Sequence, residues 1–169
     1  MKGNVLKTLC AILDIIAILL TLIMIFGFSL QDVEKSNVSS GTVTEIIEEK
    51  VTPIKEAVEE NKITRNQLEA FIRSLAHASE FALLGAEMMF LLLLLPLRPL
   101  KFTAYMPFFA CLMLGVADEC LQMTNDRSSE VIDVVKDFAG SIVGGALVLL
   151  IYMLVTYIKK KKDLTKSDI

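Results

Sequence analysis

His77, Glu80, Asp118, Glu119, Gln122, Arg127, Asp133 and Asp137 are the side chains with chemistry to offer, and they stand where oily segments begin or end. Arg73 precedes His77 by one helical turn. A carboxylate loses its water at the edge of hydrocarbon, and something must offset that cost. Arg73 and Arg127 carry guanidinium forks that fit phosphate oxygens. His77, Gln122 and the acids suit a sugar or a peptide. His77, Glu80, Asp118, Asp133 and Asp137 are also candidate ligands for a divalent ion, and His77 could serve as a general base oriented by a carboxylate. Against catalysis, the chain has one histidine, no HExxH and no nucleophile motif. A zinc hydrolase is therefore disfavoured, while an oxygen-rich magnesium or manganese site is less constrained. The residue types favour binding over catalysis and assign no cofactor.

The elements that must position these groups are membrane helices. The chain has 169 residues, 54% of them hydrophobic, and a mean hydropathy of +0.58. A soluble domain sits nearer 45–50% apolar. The excess lies in long runs, which predicts an all-α integral membrane protein of one domain, residues 1–169, with spans at about 5–28, 75–95, 102–121 and 138–158. The first run, Val5 to Phe28, would reach roughly 36 Å at about 1.5 Å per residue, enough to cross. Lys2 precedes it and Lys7 stands in its first turn, but the run outlasts a signal-peptide core and no small-x-small cleavage site follows, so it reads as a retained anchor. Cys10, Cys111 and Cys120 form no CxxC pair, which argues against a disulfide framework or a thiolate zinc site.

Between the first two spans lies an amphipathic extracytoplasmic segment, residues 41–72. Val43, Ile46, Ile47, Val51, Ile54 and Val58 recur at helical steps, opposite Glu45, Glu48, Glu49, Lys55, Glu56 and Glu59. Pro53 should bend or break this helix. Its acidic face suits docking on protein better than adsorption to anionic lipid. The blander role is a surface helix, the sharper one a lid. Thr64-Arg-Asn-Gln67 is a capping box with Ile63 and Leu68 at the staple positions, so a helix should start near Arg65 and run into the second span. Pro96-Leu-Arg98-Pro-Leu-Lys101 is a helix-breaking turn.

Spacing sorts the polar residues by face. Arg73, His77, Glu80 and Glu87 share one face of the second span; Gly115, Asp118 and Gln122 share one face of the third. Asp133, Asp137, Gly140 and Gly144 share a face of the fourth, whose helix could begin as early as Glu130. Gly140 and Gly144 read as a helix-packing contact. Each polar residue has a plainer reading: His77 as an interfacial side chain, Asp133 and Asp137 as helix N-terminal acids, Arg127 as partner of Glu119 or Asp126. Asp14 and Glu87 form a second pattern near mid-membrane, where a shared proton would lower the cost of burial.

Nine Lys/Arg lie with the two termini and the Pro96 turn, and eight on the other side. The nine crowd short segments beside span ends, and the positive-inside rule weighs such segments most. Both termini are therefore expected in the cytoplasm. That topology carries Ser29 and Gln31, His77 and Glu80, Asp118 to Gln122, and Arg127 to Asp137 to one level at the outer side. Net charge is −3 and the basic cluster is confined to the C-terminal tail, which argues against nucleic acid. No continuous polar path crosses the spans, so a transporter is the least favoured class.

Three blocks resemble the VanZ-like family of bacterial membrane proteins. They are Phe28-Ser29-x-Gln31 with Ser36, Arg73-x3-His77-x2-Glu80-Phe81 with Gly85, and Asp118-Glu119-x2-Gln122-x4-Arg127-x5-Asp133-x3-Asp137-x2-Gly140. Ser74, Ala78 and Phe81 depart from the basic, aromatic and tyrosine residues that the family often places there. The resemblance implies a multi-pass protein of the bacterial cell membrane, with a role in low-level resistance to lipidated glycopeptides such as teicoplanin. Membrane lipid, a lipid-linked cell-wall precursor or the lipoglycopeptide itself are the implied partners. It assigns no catalytic residues. The alternative is a membrane-embedded, metal-dependent enzyme acting on an envelope lipid or peptide.

Overall fold

The computed structural model describes residues 2–30, 33–51, 54, 64–95, 103–124 and 131–167. Among them are five helices and no strand: α1 (Lys2–Ser29), α2 (Val33–Lys50), α3 (Arg65–Leu94), α4 (Met106–Thr124) and α5 (Val131–Ser167). All but α2 are long and apolar enough to cross a membrane. The chain is an all-α, multi-pass membrane protein.

Element ends follow local chemistry. Thr64 caps α3: its hydroxyl accepts from the Gln67 N–H at 3.3 Å, and Gln67 Oε1 accepts from the Thr64 N–H at 2.9 Å. Two end N–H groups are thereby satisfied reciprocally. The third span starts later than expected, at Met106, with Pro107 in its first turn. A proline is tolerated there because first-turn N–H groups have no helical acceptor. Lys159 to Lys162 end the oily run of α5 but not the helix, which continues to Ser167; lysine is a good helix former.

Helix α1 turns one face inward. Asp14, Ile18, Thr21, Ile25 and Ser29 are buried at steps of four, three, four and four, while Leu13, Leu20 and Ile23 are exposed. In a bilayer those outward residues meet acyl chains, which are as apolar as they are, so inward packing depends on shape and polar partners. The buried cluster joins Ile18 and Ile25 to Phe81 and Leu84 of α3 and Cys111 of α4.

The tightest seam runs between α3 and α5. A Cβ added to Gly140 would fall on the carbonyl oxygen of Ala78, one on Gly144 on that of Ala82, and one on Gly85 on that of Ser141. Backbone meets backbone along two helical turns, a separation that only glycine and alanine permit. The same seam sets the heights of His77 and Glu80 against Asp137.

Helix α2 starts at Val33 and ends at Lys50, short of Pro53. Its end agrees with the bias that proline imposes on the residue before it. It docks on α3, with part of the stripe expected from periodicity: Ile47 is half-buried. Thr44 is fully buried, whereas Val43 and Ile46 are exposed. Gly41 faces Glu69 with room to spare: a Cβ there would lie 3.8 Å from Glu69 Oε1, an ordinary contact distance. Pro53, Val58, Ile63, the turn at 96–101, Gln31 and Arg127 lie outside the described residues, as does the side chain of Ser36.

Candidate functional site

Asp118 is the hub of the polar site. It is completely buried on α4. Ser29, the last residue of α1, donates its hydroxyl to Asp118 Oδ1 at 2.5 Å. Gln122, one turn further along α4, donates from Nε2 to Asp118 Oδ2 at 2.8 Å and approaches Ser29 Oγ at 3.4 Å. Both carboxylate oxygens of Asp118 are thus engaged by donors from two helices. Such bonds fix a carboxylate's rotamer and replace part of its lost hydration.

Two further helices bring their polar groups to the same place. One nitrogen of His77 on α3, one oxygen of Asp118 on α4 and one oxygen of Asp137 on α5 all lie within 4.8 Å of one another. Asp137 is 1% exposed. Among the described residues, neither of its oxygens has a hydrogen-bond partner. Glu80 sits one turn after His77, with 3.9 Å between His77 Nδ1 and Glu80 Oε2. That is ion-pair range, beyond hydrogen-bond length. Glu119 is buried beside Asp118.

Asp133 stands apart. It is half-buried in the first turn of α5 and accepts from the Lys136 ammonium at 2.6 Å. It is not part of the trio of His77, Asp118 and Asp137. Arg73, one turn before His77 on α3, is partly buried.

The sequence did not single out two partnerships. Ser29 ends its span in the sequence, but nothing in its spacing names Asp118 as acceptor across 89 residues. Ala78, Ala82 and Gly85 form the small-residue strip that faces Gly140, Ser141 and Gly144. Their three- and four-residue steps were a readable signal.

Asp14 and Glu87 lie apart from this site, on α1 and α3. Glu87 Oε1 accepts from Thr21 Oγ1 at 3.1 Å. Thr21 stands two turns after Asp14 on the buried face of α1.

A bundle of membrane helices with an acid- and histidine-lined site near one end is the class that fold and site define. The family model for VanZ/LLP1 matches residues 14–155, and the chain belongs to that family. The match takes in Asp14, all the described site residues and the α3–α5 seam. No curated protein and no solved structure matches the chain.

Proposed function

We propose that this protein binds the polar head of an amphiphile at the outer face of the bacterial cell membrane. Through that binding it would confer low-level resistance to lipidated glycopeptides such as teicoplanin. The observation that carries the reading is the meeting of Ser29, His77, Asp118 and Asp137, from four helices, at one end of the bundle. Hydrocarbon offers no reason for such a meeting, and polar groups held at membrane depth mark function by default. Membership of the VanZ/LLP1 family supports the resistance role. Lipid tails provide one anchor and the polar cluster the other, so a lipid-linked precursor or an acylated drug fits better than a soluble ligand. Arg73 supplies a fork for phosphate on the same face of α3 as His77.

The orientation in this proposal rests on the dense basic flanks beside both termini. A fluorescent reporter at the C-terminus should fold and glow, and a periplasm-dependent phosphatase at the same place should stay inactive. The function is tested by expression in a sensitive Gram-positive host. Teicoplanin tolerance should rise several-fold, vancomycin tolerance less, and His77→Ala at matched protein level should return both to the host value. Unchanged teicoplanin tolerance with the intact protein in the membrane would contradict the reading.

A further inference from the structure

We propose that His77, Asp118 and Asp137 bind one divalent first-row transition-metal ion, Zn²⁺ or Mn²⁺, between α3, α4 and α5. The proposal shares its residues with the reading above but not its premise, because it stands on donor geometry alone.

The donor set is one imidazole nitrogen and two carboxylate oxygens, all within 4.8 Å of one another. Ligands bound to zinc at about 2.1 Å in a tetrahedron lie about 3.4 Å apart. The trio closes onto an ion with side-chain movements of about 1 Å. Calcium prefers six to eight oxygens and has little use for imidazole. Imidazole suits zinc, and carboxylate suits manganese.

Asp137 is the second, independent sign of a ligand. Its side chain is 1% exposed, and both its oxygens lack a hydrogen-bond partner among the described residues. Buried carboxylate oxygens without donors are rare and call for an ion or water. A pair of acids sharing a proton would place Asp137 in hydrogen-bond contact with Asp118, and no such bond is formed.

The surroundings are those of a metal centre. Ser29 and Gln122 hold the two oxygens of Asp118, which orients a ligating carboxylate from behind. Glu80 stands 3.9 Å from His77 Nδ1, a carboxylate beside the imidazole of the kind that orients a ligating histidine. Lys136 is occupied with Asp133 and does not displace a cation from the trio. Glu119 adds a further buried acid beside Asp118. A divalent ion neutralises this charge, and three protein ligands leave coordination positions open to a phosphate or carboxylate oxygen of a ligand.

The test uses the full chain in detergent, purified through a tag without histidine, stripped with chelator and dialysed against Zn²⁺ or Mn²⁺ alone. Elemental analysis should find one ion per chain. Asp137→Asn and Asp118→Asn should each weaken binding more than ~100-fold, and Ser29→Ala, acting from behind a ligand, by ~10-fold. Asp14→Asn should keep the full load. A second readout is pulsed electron paramagnetic resonance of the Mn²⁺-loaded protein. His77 is the chain's only histidine, so a coupled imidazole nitrogen identifies it, even if the aspartate variants fail to fold. Wild-type protein that retains less than a tenth of an ion would overturn the proposal. So would aspartate variants that bind like wild type, or bound Mn²⁺ with no nitrogen coupling.

Discussion

Two regions of this bundle bury carboxylates between membrane helices, and they are built differently. Around Asp118, four helices contribute, two donors grip one carboxylate, and a glycine seam draws α3 and α5 close enough to face His77 with Asp137. Around Asp14 and Glu87, the side-chain hydrogen bond among the described residues runs from Thr21 of α1 to Glu87 of α3. Asp14 Oδ2 and Glu87 Oε2 have no hydrogen-bond partner among those residues. Beside them opens an apolar groove of about 340 Å³, lined by Ile18, Leu19, Met88, Leu91 and Pro107 among others. The contrast separates polar groups that a fold is shaped to assemble from polar groups that it merely contains.

Substitutions can sharpen or break that contrast. Gly144→Leu should have the largest effect. Overpacking an ordinary core costs about 1–3 kcal/mol, and here the obstacle is the Ala82 backbone, which cannot rotate away. The variant should melt far below wild type or fail to accumulate. Gly27→Leu is its control, since a Cβ on Gly27 meets nothing within 4 Å, and helix propensity alone should make it neutral or stabilising by up to ~1 kcal/mol. Equal losses in both would show that the seam is not what holds the bundle.

Next in size is Asp118→Ala, which leaves the Ser29 hydroxyl and the Gln122 amide buried without their acceptor. Each stranded group costs about 1–3 kcal/mol, so the melting temperature in detergent should fall clearly. Thr21→Val removes one hydrogen bond from the other region and should cost about 0.5–1.5 kcal/mol. The smallest loss is expected from the double change Asp14→Leu, Glu87→Leu. It removes one buried and one half-buried acid and should leave the melting temperature unchanged or raise it. A collapse of the double variant would mean that the Asp14 region is as constructed as the Asp118 region.

The same contrast marks what could be read in the chain before folding. Span number, the single-face grouping of Arg73, His77 and Glu80, and the start of α3 were legible because each depends on residues within a few turns of one another. The capping box is the plainest case: Thr64 and Gln67 are three residues apart and satisfy each other's ends. Register between helices was not legible in this way. Nothing local says that Ser29 meets Asp118, or that Gly140 lies on Ala78 rather than on Ala82; those follow from how close two backbones come. Helix α2 shows the limit of periodicity in another form. Val43, Ile46 and Ile47 of its apolar stripe are helical, yet Val43 and Ile46 are exposed while Ile47 is half-buried and Thr44 fully buried, so periodicity alone does not decide which face docks.

The measurement that bears most directly on the meeting of the helices is thiol cross-linking in the membrane. Cys10, Cys111 and Cys120 are first replaced by alanine, and Ser29→Cys is paired with Asp118→Cys in one chain and with the exposed Val143→Cys in another. A short bifunctional thiol reagent is applied, and intact mass separates one bridge from two single adducts. A bridge for the Asp118 pair and single adducts for the Val143 pair are the expected result. Single adducts for both pairs would mean that α1 and α4 do not bring Ser29 to Asp118, and the site would not exist as described.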